Sequence, residues 1–152
     1  MENASEFASL HHICIIVKDI DKAMAYYKSL GIGPFLPPPV KAIKETYRGK
    51  PVTPDFFKRK EVLGKMGNIN LQLCQPAGGD SPWQEFLDKR GEGMHHLGYF
   101  TDDIEKEQAA LVKREIEIIL SSKFEGGGGA FYADLSKNGS FYVEFIQPPP
   151  GK

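Results

Sequence analysis

The hydrophobic and polar positions follow two alternating plans. Leu10-His11-His12-Ile13-Cys14-Ile15-Ile16-Val17 is short and rich in β-branched residues, which predicts a buried strand. Asp19 or Asp21 then caps a helix in which Ala23, Tyr26, Tyr27 and Leu30 recur at helical spacing, and Gly31 stops it. Residues 58–66 and 69–75 form a predicted hairpin across Gly67-Asn68, with Ile69-Asn70-Leu71-Gln72-Leu73-Cys74 alternating apolar and polar. Ser81-Pro82-Trp83 opens a short helix running to Lys89, with Ser81 as cap and Pro82 in its first turn. The plan then restarts. A strand over 94–101 precedes a helix to about Arg114 and a strand from Ile116 to Leu120. A flexible glycine run, Gly126–Gly129, leads to a hairpin of Phe131–Leu135 and Phe141–Gln147 turning at Asn138-Gly139.

The restart is an internal repeat. His11-His12 opens the first strand and His95-His96 opens its counterpart, so all four histidines of the chain lie in two doublets. His12 and His96 stand 84 residues apart, whereas Gln72 and Glu144, matched in the last strand of each half, stand 72 apart. The first half therefore carries 12 more residues, between its helix and its last strand. That stretch holds Pro37-Pro38-Pro39, which cannot join a central strand, although Val40–Tyr47 can form a strand and Arg48-Gly49-Lys50-Pro51 a loop. A long irregular segment of this kind, Pro34–Phe57, is expected to close over a ligand. Each half reads as β-α-β-β-β. The expected fold is α+β, with tandem modules over about 8–76 and 93–148 and a linker helix near 80–90.

Composition narrows the function. The chain has 152 residues, enough for one domain with a proper core. Its 19 basic and 20 acidic residues leave a net charge of −1, without the basic footprint of a nucleic-acid binder. The sequence has no apolar run long enough for a membrane span. The start, Met1-Glu2-Asn3-Ala4-Ser5-Glu6, lacks a signal-peptide core, and two cysteines do not make a disulfide scaffold, so a reducing cytoplasm is expected.

Strand alternation puts His12, Cys14 and Ile16 on one face, and His96 with Gly98 and Phe100 on the equivalent one. A single strand histidine is ordinarily a hydrogen-bonded core residue. A duplicated one, accompanied by a matched Gln72/Glu144 pair, points instead to a divalent-metal site of two imidazoles, an amide oxygen and a carboxylate. His11 and His95 fall on the opposite face, where packing or hydrogen bonding is their expected role. Cys14 and Cys74 read as small buried residues.

These residues resemble the vicinal oxygen chelate superfamily, which includes glyoxalase I, methylmalonyl-CoA epimerase, extradiol dioxygenases and bleomycin-resistance proteins. The resemblance runs from about Leu10 to Pro148. Asp80-Ser81-Pro82-Trp83-Gln84-Glu85-Phe86-Leu87, followed by Gly91-Glu92-Gly93-Met94-His95-His96, is similar to the epimerase-like branch. It implies a curved mixed sheet around a metal-binding cleft, with His12, Gln72, His96 and Glu144 as ligands of one divalent ion (Co²⁺, Ni²⁺, Mn²⁺, Zn²⁺ or Fe²⁺). The implied chemistry moves a proton next to a carbonyl through a metal-stabilised enolate, with Glu144 both ligand and acid/base. The Gln72 position is epimerase-like, since glyoxalase I usually has Glu there. The substrate is then an acyl-CoA such as methylmalonyl-CoA. The alternatives are a thiol adduct in a glyoxalase-type lyase, an extradiol dioxygenase reaction, and sequestration of a small molecule without turnover. The resemblance also implies a homodimer.

Epimerisation needs a second base on the other side of the enolate. In a two-residue hairpin at Gly67-Asn68, residue 61 pairs with 74, so Glu61 shares the face of Cys74 and hence of Gln72. Glu61 is the expected second base, unless it is a solvated edge charge. Glu45 and Asp55 are weaker candidates, and Tyr47, Arg48 and Lys50 are candidates for holding a substrate carboxylate or phosphate.

Overall fold

The computed structural model describes residues 7–53, 55–139 and 141–152; the acidic start read above, Met1–Glu6, lies outside them. The order is β1 (Leu10–Ile16), α1 (Ile20–Ser29), β2 (Phe35–Leu36), β3 (Ala42–Tyr47), β4 (Lys50–Val52), β5 (Arg59–Met66), β6 (Ile69–Pro76) and α2 (Pro82–Arg90). Then come β7 (Gly93–Phe100), α3 (Ile104–Lys113), β8 (Ile118–Phe124), β9 (Gly129–Asp134), α4 (Ser136–Gly139) and β10 (Tyr142–Gln147). Strands dominate, β1 and β6 are parallel, and the hairpins are antiparallel, so the sheet is mixed and the fold α+β.

The described chain forms two compact units, one from residues 12–39 and 55–96, the other from 7–11, 40–53 and 97–152. In the first unit the strand order is β2-β5-β6-β1. Leu71 and Leu73 of β6 join Val17 and Ile20 in a core covered by Tyr27 and Phe35, which leaves Gln72 and Cys74 on the other face of the strand. Met66 pairs with Ile69 and Glu61 with Cys74, the register a two-residue turn at Gly67-Asn68 requires; Gly67 takes φ 63° there.

The second unit has the strand order β10-β9-β8-β3-β4. Val143 and Phe145 of β10 pack with Leu111 of α3 and with Phe131 and Ala133 of β9, leaving Glu144 on the opposite face. The repeat extends to the caps. Asp19 accepts from Lys22 N at 3.0 Å and Asp103 from Lys106 N at 3.0 Å. The first helical amides, Ile20 N and Ile104 N, donate to the side chains of Gln75 and Gln147, near the ends of β6 and β10, at 2.9 and 3.0 Å. In each half, one side-chain amide fixes where the helix starts relative to the last strand.

The structure corrects four readings. The segment 34–57 is not long and irregular. Its excess over the second half contains the β3–β4 hairpin, turned at Arg48 (φ 47°) and Gly49 (φ 79°), and β3 pairs along β8. The first half is thus β-α-β-β-β with a hairpin inserted after its second strand. β8 begins at Ile118 and runs on to Phe124, because Ile116 N bonds back to Leu111 O at the helix end and Ser121, Ser122 and Lys123 are paired with both β3 and β9. The β9–β10 hairpin turns through the single helical turn α4, where a two-residue turn was expected. Finally, Gly126–Gly129 is a close-packed crossing. A Cβ on Gly128 would meet the Gln147 carbonyl oxygen, one on Gly129 would meet Ser122 O, and Gly126 to Gly128 all have positive φ.

Candidate metal and acid/base residues

His12 is buried at the start of the first unit's part of β1, where it registers with Asn70, and Cys14 registers with Gln72. Paired residues share a face, so His12, Gln72 and Glu61 lie on one side of this sheet, away from the Leu71/Leu73 core. His12 Nε2 and His96 Nε2 approach to 3.1 Å with their rings at 85°. Two nitrogens bound to one metal at about 2.0–2.1 Å would stand roughly 3.0–3.4 Å apart. The spacing suits a hydrogen bond between the rings and equally two nitrogens on one ion.

His95 was expected to pack or to hydrogen-bond, and it does the latter where it matters. His95 Nδ1 lies 2.8 Å from His96 Nδ1, and Trp83 and Phe86 wall in its ring. Were His96 to hold a cation through Nε2, that nitrogen would carry no proton and Nδ1 would be left to donate to His95. The second doublet thus places two buried imidazoles in direct hydrogen-bond contact. Alternation left the partner unnamed, because it places adjacent residues on opposite faces. His11 instead stacks on Phe100 at 4.2 Å, a packing role.

Gln72 is buried and its Nε2 donates to Glu61 Oε2 at 3.2 Å. Its Oε1 is buried without a hydrogen-bond partner. An acceptor stranded in this way costs about 1–3 kcal/mol, and a cation or a donor would satisfy it. Among the described residues this is the clearest sign that a neutral oxygen ligand is on offer, and it fits a divalent ion alongside two imidazoles.

Glu61 faces the side the register predicted. Both of its oxygens are engaged: Arg59 Nε donates to Oε2 at 3.1 Å and Arg59 Nη2 to Oε1 at 3.3 Å, with Gln72 Nε2 sharing Oε2. Arg59 lies on the ring of buried Trp83, 3.9 Å from Cζ to centroid. Beside them, burial above all, and then the Glu61 charge, raise the Cys74 thiol far above the ordinary range, against a smaller opposing pull from Arg59. A thiol held neutral is neither ligand nor nucleophile. Cys74 in the folded protein is accordingly expected to resist a disulfide reagent at pH 8 and to react only after denaturation. Rapid labelling of the native protein would contradict this.

In the second unit Glu144 is buried, at 8% exposure, opposite Tyr132. Tyr132 pairs with Leu120 and Leu120 with Tyr47, so these four share a face. Glu45, two residues before Tyr47 and paired with Ser122, is on that face too. It is only 6% exposed. The sequence ranked Glu45 below Glu61 because it lay in a proline-rich stretch with no assigned register. The β3–β8 pairing supplies the register and makes Glu45 a buried carboxylate on the same face as Glu144. Asp55, Arg48 and Lys50 are exposed.

Residues 11–133 match the model of the Glyoxalase/Bleomycin resistance protein/Dioxygenase superfamily, and the chain belongs to that family. The chain is 30% identical over 143 residues to the uncharacterized protein YqjC of Bacillus subtilis, covering 91% of each. It is also 30% identical over 141 residues to the mitochondrial methylmalonyl-CoA epimerase of Bos taurus, covering 91% of this chain and 73% of that enzyme. The crystal structure of methylmalonyl-CoA epimerase from Mycobacterium tuberculosis has the same fold, with a TM-score of 0.72 at 21% identity over 99% of this chain and 94% of that one. The chain is methylmalonyl-CoA epimerase-like in sequence and in fold. Among the described residues no helix is long and apolar enough to cross a membrane.

Proposed function

We propose that the protein is a metal-dependent epimerase of an acyl thioester, methylmalonyl-CoA or a close relative, with His12, Gln72, His96 and Glu144 holding one divalent ion. The observation that carries this is Gln72, a buried amide on the same sheet face as His12, whose oxygen is left for a cation while its nitrogen is taken by Glu61. A carboxylate at 72 would face the Glu61 charge; an amide donates to it instead. The kinship with enzymes named methylmalonyl-CoA epimerase supports the same reaction class.

A bound divalent ion would supply Lewis acidity, favouring the negative charge that develops on the carbonyl oxygen. The chain's own residues move the proton. Glu144 as carboxylate takes it from the carbon next to the carbonyl, leaving a planar enolate. A carboxylic acid on the opposite side returns a proton to the other face, and the two groups exchange protonation states over one turnover. Glu61 was the sequence candidate for that acid. Because Arg59 and Gln72 occupy both of its oxygens, we assign the role to Glu45, which is buried on the same face of its sheet as Glu144. Buried His95 holds His96 in the ligating tautomer.

The modules 8–76 and 93–148 are, in this reading, halves of one functional domain, working as a homodimer in the cytoplasm. Light scattering at micromolar protein is expected to give twice the chain mass of 16.9 kDa; the chain mass alone would reject the dimer. The substrate class is tested with a panel of single-epimer acyl-CoA thioesters and a methylglyoxal–thiol adduct, each with Co²⁺, Ni²⁺, Mn²⁺, Zn²⁺ and Fe²⁺. Turnover of an acyl thioester supports the proposal. Turnover of the adduct alone would make the protein a glyoxalase-type lyase, and tight binding without turnover would make it a sequestering protein.

A further inference from the structure

Side-chain amides have two ends that differ in chemistry and little in shape. Gln72 presents its nitrogen to Glu61 Oε2 at 3.2 Å. A carboxylate only accepts, so the end facing Glu61 has to be the NH₂. Turning the amide over would set two acceptors against each other. Glu61 thereby dictates where the Gln72 oxygen goes, and that oxygen is the buried one without a hydrogen-bond partner.

Glu61 is itself held. Arg59 grips both of its oxygens, through Nε at 3.1 Å and Nη2 at 3.3 Å, in the two-point arrangement that fixes a carboxylate plane as well as its position. The guanidinium rests on Trp83, 3.9 Å from the ring centroid, with Phe57 at 5.8 Å. Trp83 is 1% exposed, seated in the first turn of α2 behind the Ser81 cap. The order of support runs from a buried ring to a planar cation, to a carboxylate, to an amide.

From this geometry we infer that Arg59 and Glu61 are positioning residues whose task is to aim the Gln72 oxygen at a divalent cation. The inference rests on Gln72 being a ligand and extends it by giving Glu61 a role through that ligand, at no reacting atom. Losing a partner that orients a metal ligand lowers metal affinity by about 10–100-fold. The effect should pass entirely through Gln72, which a double-mutant cycle can read.

The test is titration of the full-length, metal-stripped chain with Co²⁺ alone, read by calorimetry or chelator competition. Four proteins form the cycle: wild type, E61Q, Q72A and E61Q/Q72A. E61Q keeps the size of the side chain and can present either end of an amide, so it releases the constraint without a cavity. It is expected to weaken Co²⁺ binding about 10–100-fold in the wild-type background and not at all in the Q72A background. R59M should shift affinity the same way, less strongly, and should also have no effect once Q72A is present. An unchanged Co²⁺ affinity in E61Q, or an equal loss in both backgrounds, would overturn the positioning role. Wild-type affinity in Q72A would overturn the ligand reading beneath it, and the two failures are thus told apart.

Discussion

Changing His96 to Ala is expected to leave the protein folded and almost free of metal. The variant removes one imidazole and the anchor of the His95 hydrogen bond together. Loss of a direct ligand should exceed the roughly 10–100-fold that loss of an orienting partner costs. Metal content by mass spectrometry should fall from about one ion per chain to a small fraction. The same change should uncouple metal from stability. At a metal concentration 100 times the dissociation constant, binding stabilises the native state by about 2.7 kcal/mol. Unfolding of the wild-type protein should therefore move to higher temperature with Co²⁺, while unfolding of the H96A protein should not respond. Full metal retention by H96A would remove His96 from the site and, by the symmetry of the repeat, cast out His12 with it.

The second large effect concerns the carboxylates. Glu144→Gln is expected to lower kcat/KM by about 10²–10⁴-fold, the range a positioned acid/base supplies, and to lower metal occupancy as well, since Glu144 serves both functions in this account. Glu45→Gln should separate the two. It should retain metal and lose turnover by a comparable factor, because Glu45 is proposed to move a proton and to touch no ion. Glu61→Gln should do the reverse, weakening metal binding while kcat at saturating metal stays near the wild-type value. Saturating metal matters here, because at low metal the E61Q protein would mimic a catalytic defect. Measured together, kcat and metal affinity assign each of the three carboxylates a distinct signature. A collapse of kcat in E61Q at full occupancy, with E45Q unaffected, would return the second base to Glu61.

What was legible in the sequence follows from what repeats and alternates. The two histidine doublets, the matched Gln72 and Glu144, and the Gly67-Asn68 turn are local signals with fixed offsets, and they yielded the strands that carry them and the faces of His12, Gln72 and Glu61. The β3–β4 hairpin was hidden because prolines at 37–39 and 51 lower strand expectation, while the pairing of β3 with β8 joins residues about 75 positions apart. Glu45 was underrated for the same reason: its face is set by Ser122, not by its neighbours in sequence. The link from Trp83 to Arg59 was equally illegible. An arginine at a strand start and a tryptophan in a helix's first turn are ordinary in isolation, and only the fold sets one on the other. The expected hydrogen bonding of His95 came without its partner, because alternation describes where a Cβ points, whereas a ring nitrogen can still reach the adjacent ring.

The central claim, proton transfer next to a carbonyl without redox chemistry, is tested most directly in heavy water. A single epimer of the acyl-CoA substrate is incubated with metal-loaded protein in D₂O, and deuterium at the carbon next to the thioester carbonyl is followed by NMR alongside dissolved oxygen. The account predicts deuterium in the epimerised product at every turnover, no consumption of oxygen, and no exchange with E144Q. Epimerisation that retains the original hydrogen throughout, or oxygen consumed in proportion to product, would contradict it.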